Sequence, residues 1–233
     1  MVSRLPEGEV FNYDQLKLEP SQYRAAVKAL GRLTETGLVK RVSTGKYYKP
    51  QKTVFGELRP GEDELLKSYL FENGRRIAYM TGDTLYNKLG LTTQVPKTIK
   101  VASRDRRVIT KLGPVRIKPI KSYVDVTDQN YHLLEILDAI KDFKKIPDLN
   151  RKDGVKRLKQ LLRTLKKEDI DKLIRIAMKY PPRVRAFTGA ILDSIGTDTG
   201  KLIPLLGSIN PLSKYNFGIS QKELPGTETW NIV

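Results

Sequence analysis

The chain contains no cysteine and a single histidine, His132, among its 233 residues. Without cysteine there is no disulfide framework, no thiolate zinc site and no cysteine nucleophile. One histidine does not make a His-rich metal site. No apolar run approaches the ~20 residues needed to cross a bilayer, and the first nine residues lack the apolar stretch of a signal peptide. A cytoplasmic location with no membrane partner is therefore expected. Catalytic signatures are also missing. There is no phosphate-cradling Gly-x4-Gly-Lys-Ser/Thr, no Ser-His-acid set, and no carboxylate pair followed by lysine at nuclease-like spacing. Glu168-Asp169-Ile170-Asp171 reads as the acidic start of a helix, as does the trio Glu62-Asp63-Glu64. His132 reads as a surface or packing residue, with no partner at catalytic spacing. No enzyme activity, cofactor or metal is expected.

What the chain has in excess is positive charge. Its formal net charge is +17, and a polyanion, nucleic acid above all, is the natural partner. The charge is not a tail: residues 1–52 carry +5, 53–130 carry +5 and 131–233 carry +7. A lysine-rich composition without functional meaning is the plainer alternative.

The first fifty residues suggest where the polyanion binds. Val10-Phe11 is strand-like and Tyr13 to Leu16 begins a short helix. Pro20 and Ser21 occupy a helix N-cap and first turn. Tyr23, Ala26, Val27, Leu30 and Leu33 then recur on one helical face, and Gly37 stops the helix. The opposite face carries Ser21, Gln22, Arg24, Ala25, Lys28 and Arg32. Arg reads guanine edges, Gln reads adenine, and small residues permit close approach in a major groove; an ordinary solvated face has the same composition. Leu38 to Val42 then alternates as a strand. Ser43-Thr44-Gly45 suits a three-residue hairpin loop with Gly left-handed. Lys46 to Lys49 forms the return strand, ended by Pro50, with either Tyr47 or Tyr48 inward and its neighbour outward. Helix, glycine stop and basic hairpin is the order of a winged helix-turn-helix, with Lys40, Arg41, Lys46 and Lys49 of the wing suited to phosphates. Such domains usually open with a further helix over the apolar face of the recognition helix. The nine residues before Val10 are broken by Pro6 and Gly8, so an upstream segment, another part of the chain or a partner subunit is expected to cover that face.

The expected fold class is α+β. Residues 1–52 form a winged helix-turn-helix apparently lacking its first helix. Residues 53–233 form a C-terminal domain, mixed α/β over 53–126 and helical over 127–233. Thr53 to Gly61 reads as a docked linker, through Val54, Phe55 and Leu58. Helices are expected at Glu62 to Phe71, Thr81 to Gly90, from Tyr131 (capped by Thr127 or Asp128) to Ile140, Val155 to Leu165, Asp169 to Met178, Arg183 to Ile195 and Lys201 to Leu206. Strands are expected at Arg76 to Met80, Thr98 to Ala102 and Val115 to Ile120. Arg104, Arg106 and Arg107 form a basic stretch that suits additional phosphates or an exposed loop equally well.

Several stretches resemble AbiEi-type antitoxins: Leu5 to Phe11, Ala29-Leu30-Gly31-Arg32-Leu33, Gly45 to Pro50, Tyr79 to Pro96, Leu137-Asp138, Lys145 to Asp148, Tyr180-Pro181-Pro182 and Arg185-Ala186. The Tyr79–Pro96 block is the most specific. The resemblance implies a bacterial type IV toxin–antitoxin or phage-defence (abortive infection) operon. There a winged helix represses transcription by binding an inverted-repeat operator, and the larger domain counters a nucleotidyltransferase-like toxin, often without stable contact. DNA contact would then fall to Ser21, Gln22, Arg24, Lys28, Arg41, Thr44 and Lys46, joined on the same helix face by Arg32. The competing expectation is an RNA-binding protein that shields the toxin's RNA target.

Overall fold

A computed structural model describes residues 2–54, 56–96, 98–105, 110–112 and 115–233. The fold is α+β, with eight α-helices and several small sheets among these residues. Two compact units are distinguished: Met1–Arg76 with Lys111–Pro114, and Ile77–Thr110 with Val115–Val233. The first unit thus reaches past residue 52.

In unit 1, β1 (Val10–Asn12) leads through a 3-10 turn (Asp14–Leu16) and a second (Pro20–Gln22) into α1 (Tyr23–Glu35). Strands β2 (Lys40–Ser43) and β3 (Lys46–Tyr48) complete an antiparallel sheet of order β1-β3-β2. Its core is small: Phe11, Leu16, Leu30, Val39 and Tyr47. Burying Leu30 contributes about 1.5–3 kcal/mol. Pro20 at the first position fits a helix start. Gly37 takes φ 74 just past the helix end, which favours glycine.

Three local expectations are corrected here. The hairpin loop has two residues, Thr44 and Gly45, because Ser43 pairs with Lys46; a register irregularity between Arg41 and Ser43 takes up the extra residue. Gly45 does take a left-handed φ of 73. Tyr47 and Tyr48 are both buried, because the sheet is covered twice. Tyr47 joins the Phe11 core, while Tyr48 shares its face with Lys46 and Val10. That second face meets α2 (Glu62–Leu70), whose Leu66 and Tyr69 are buried and whose Glu64 Oε1 accepts from the Val10 amide at 3.3 Å. Finally, the segment read as a linker contains a hairpin, β4 (Gln51–Thr53) and β5 (Gly56–Leu58). Val54 and Leu58 are exposed rather than docked, and Phe55 lies outside the described residues. A last short pair, β6 (Phe71–Glu72) and β7 (Arg75–Arg76), follows.

Unit 2 begins with β8 (Ala78–Thr81) and α3 (Asp83–Lys88). Its strands β9 (Thr98–Ser103) and β11 (Val115–Lys121) continue a sheet of order β10-β11-β9-β8, in which only Thr110 of β10 (Thr110–Leu112) is grouped with unit 2. β9 runs parallel to β11 and antiparallel to β8. Helices α4 (Tyr131–Asp142), α5 (Arg151–Arg163), α6 (Lys167–Ala177), α7 (Pro182–Ser194) and α8 (Thr199–Gly207) follow. α4 is buried at every position from Leu133 to Ile140 and packs on β8, α6 and α7, as expected of a helix in the centre of a core. Its N-cap is Asn130, not Thr127 or Asp128; the Asn130 side chain bonds the Thr127 amide and the Asp125 carbonyl. α5 starts at Arg151, earlier than expected, because Asn150 caps it by accepting from the Asp153 amide. The segment after α8 packs through Trp230 and Ile232, and Ile232 bridges to Tyr215. Trp230 lies on Gly189 of α7, where a Cβ would fall 2.1 Å from Trp230 Cζ3, and donates to Asp193 at 3.2 Å. No helix among the described residues is long and apolar enough to cross a membrane.

Candidate nucleic-acid interface

α1 is exposed over most of its surface. Ser21, Gln22, Arg24, Ala25, Lys28 and Arg32 all face solvent, while Leu30 is buried and Ala26 and Leu33 are half-buried. At 3.6 residues per turn, Arg24, Ala25, Lys28 and Arg32 of α1 fall within about 60° of the direction opposite Leu30, and Ser21 stands exposed in the 3-10 turn just before the helix. Among the described residues, Arg24, Lys28 and Arg32 have no acidic partner. The result is an unneutralised basic ridge interleaved with small side chains. Gln22 differs from its neighbours: it closes a capping box with Glu19, its Oε1 accepting from the Glu19 amide at 3.1 Å. The expected apolar face of α1 is only partly used. Tyr23 is 39% exposed and Val27 51%.

The hairpin supplies fewer free cations than its sequence promises. Arg41 is exposed, its Nε donating to the Ser43 carbonyl at 3.2 Å, and Thr44 at the tip is exposed. Lys46 lies 3.3 Å from the centroid of the Tyr69 ring, a cation–π contact. Tyr69 also bonds the Ser43 hydroxyl at 3.2 Å. Lys49 pairs with Glu7 at 3.3 Å. Lys40 pairs with Glu57; the hydrogen bond and charge of Glu57 raise the Lys40 pKa, and those of Lys40 lower that of Glu57. The cations still open to a phosphate therefore sit on α1 and at Arg41.

Tyr13 ties the two parts together. Its ring lies 5.8 Å from that of Tyr23 at the start of α1, and its hydroxyl is 3.1 Å from that of Tyr47 on β3. It also lies under Gly45 of the turn. The hydrogen bond with Tyr47, aided by burial, pushes the Tyr13 pKa up to about 12.

In unit 2, Arg104 is spent on local structure, donating to the carbonyls of Tyr123 at 2.9 Å and Ser122 at 3.4 Å. Arg106 and Arg107 lie outside the described residues. His132 Nε2 lies 3.9 Å from Asp169 of α6, a partner that local sequence spacing does not show. The motif blocks around Tyr79, Asp138 and Tyr180 converge on one buried carboxylate. Asp138 accepts from Thr81 at 2.7 Å, Tyr79 at 3.0 Å, Lys141 at 2.6 Å and Tyr180 at 3.4 Å. Burial first, then the charge of Asp138, raises the pKa of both tyrosines. Burial opposes the charged form of Lys141, but its contacts with Asp138 prevail and raise its pKa. Sequence reasoning missed this network. Its one local sign is a pair of carboxylates, Glu135 and Asp138, inside the apolar run of α4.

Among curated proteins, none matches the chain. A crystal structure of the RV2827C protein from Mycobacterium tuberculosis is similar over 99% of this chain and 87% of its own, with a TM-score of 0.55 at 13% sequence identity. That likeness concerns the fold. Residues 2–173 match the model of a family of unknown function, DUF6088, and the chain belongs to that family.

Proposed function

We propose that unit 1 is a winged helix-turn-helix that binds duplex DNA, with α1 as its recognition helix. One observation carries this reading: the solvent-facing ridge of Ser21, Arg24, Ala25, Lys28 and Arg32, free of acidic partners among the described residues and followed by a tight hairpin with Arg41 and Thr44 exposed. Arginine can take guanine edges, the small residues let the helix approach the bases, and Arg41 suits a phosphate. Lys46 acts in this reading as a hairpin brace against Tyr69, and Gln22 as a helix cap. Together with the motif resemblance, this supports an antitoxin that represses its own operon through an inverted-repeat operator and counters a nucleotidyltransferase-like toxin in the cytoplasm, without enzymatic activity of its own.

Selection of binding sites from random duplexes tests the DNA half. An inverted repeat is the expected product, and Arg24→Ala with Lys28→Ala should weaken binding to it by at least about 30-fold, since each base-reading contact contributes ~1–3 kcal/mol. Unchanged binding by the double variant would overturn the recognition-helix assignment. Co-expression with a nucleotidyltransferase-like toxin encoded beside it tests the other half: growth should be restored, and failure to restore it removes the antitoxin role.

A further inference from the structure

We propose that the outer face of α5 in unit 2 is a second, sequence-independent binding surface for the phosphate backbone of duplex DNA. α5 contains six basic residues and one acidic residue, Asp153. Two of the six serve the fold: Arg151 donates to the Phe217 carbonyl at 2.8 Å and Arg157 to the Leu89 carbonyl at 2.7 Å. The other four, Lys152, Lys156, Lys159 and Arg163, follow the spacing i, i+4, i+7, i+11. They fall within a sector of about 60° and along a row of roughly 16.5 Å. Lys152, Lys156 and Arg163 are exposed and Lys159 is half-buried. Exposed Lys166 and Lys167 follow just past the helix end.

Among the described residues no ion pair neutralises the row, whereas Lys88, Lys141 and Lys201 of the same unit pair with Glu135, Asp138 and Asp171. Glu223 is the carboxylate whose field reaches Lys152, and it is held by the Ser220 amide at 2.7 Å and hydroxyl at 2.9 Å. Burial and the neighbouring charge of Arg163 lower the Lys159 pKa, so the row carries internal repulsion that a polyanion would relieve.

The shape of the row selects the occupant. The inner face of α5, through Val155, Leu158 and Leu162, is sealed in the core, so the helix has no apolar face left to enter a lipid bilayer. It carries no aromatic residue on which unpaired bases could stack. A duplex presents about one phosphate charge per 1.7 Å of axis, more than enough to engage four cations along this length. The choice of DNA over RNA rests on the proposed function, in which this chain already binds duplex DNA.

The test is fluorescence anisotropy of the full chain with three probes: a random-sequence DNA duplex, an RNA duplex of the same sequence, and vesicles containing phosphatidylserine. The variant Lys152→Gln, Lys156→Gln, Lys159→Gln, Arg163→Gln should weaken random-DNA binding at low salt by about tenfold or more. It should also lower the slope of log affinity against log salt by about 3–4. The triple variant that keeps Lys159 serves if the quadruple variant misfolds, with a slope loss of about 2–3. An unchanged slope overturns the proposal, as does tighter binding to RNA or vesicles than to DNA. The two DNA surfaces fail separately. Loss of α5 cations should leave the preference for a selected site over random DNA intact, whereas Arg24→Ala with Lys28→Ala should abolish that preference and spare the α5 share of the salt slope.

Discussion

The same helical pattern meets opposite fates in the two units. In unit 1, α1 repeats apolar residues at Tyr23, Ala26, Val27, Leu30 and Leu33, yet only Leu30 is fully buried. In unit 2, α4 and α7 are buried around most of their circumference. Among the described residues, unit 1 is held by a small core around Phe11, Leu30 and Tyr47, by Tyr13, and by buried Val10, Tyr48, Leu66 and Tyr69. Unit 2 is held by a large continuous core with a carboxylate at its centre. An apolar stripe thus records a helix's phase, while burial depends on whether another layer exists to receive it.

Three substitutions would break or sharpen this contrast. Asp138→Ala carries the largest expected effect, a loss of about 3–5 kcal/mol measured by denaturant unfolding, because it strands Lys141 without its buried counter-charge. A loss under about 1 kcal/mol would mean that the network is not closed as described. Gly189→Ala should destabilise by about 1–3 kcal/mol, since the new methyl meets the Trp230 ring, and a lowered thermal midpoint would report it. Val27→Ser in α1 should change stability by no more than about 0.5 kcal/mol. A loss of several kcal/mol there would show that the face is covered in solution.

Much of the architecture was legible because it rests on local signals. Gly37 and Gly45 take the left-handed φ their positions suggested, and the 3.6-residue repeats located the helices to within a few residues. The misses have physical causes. α5 opens with a polar turn, Arg151-Lys152-Asp153-Gly154, which has no periodicity until Val155. Strands β4 and β5 are mostly exposed, so no alternation marks them. Tyr48 is buried on the sheet face that Lys46 shares, and Lys46 meets Tyr69 of α2, well beyond the hairpin. At the candidate interface, the exposed ridge of α1 followed from phase alone. The diversion of Lys46, Lys49 and Lys40 to Tyr69, Glu7 and Glu57 required contacts that spacing cannot show.

The seat of Trp230 on Gly189 also sets a timetable for synthesis. The core of unit 2 cannot close over α7 until Trp230 has left the ribosome. At ~5–20 residues per second, Trp230 is joined about 8–30 seconds after Arg76. The α1 helix and its hairpin can therefore take shape on a nascent chain while α7 still lacks the indole that covers it at Gly189.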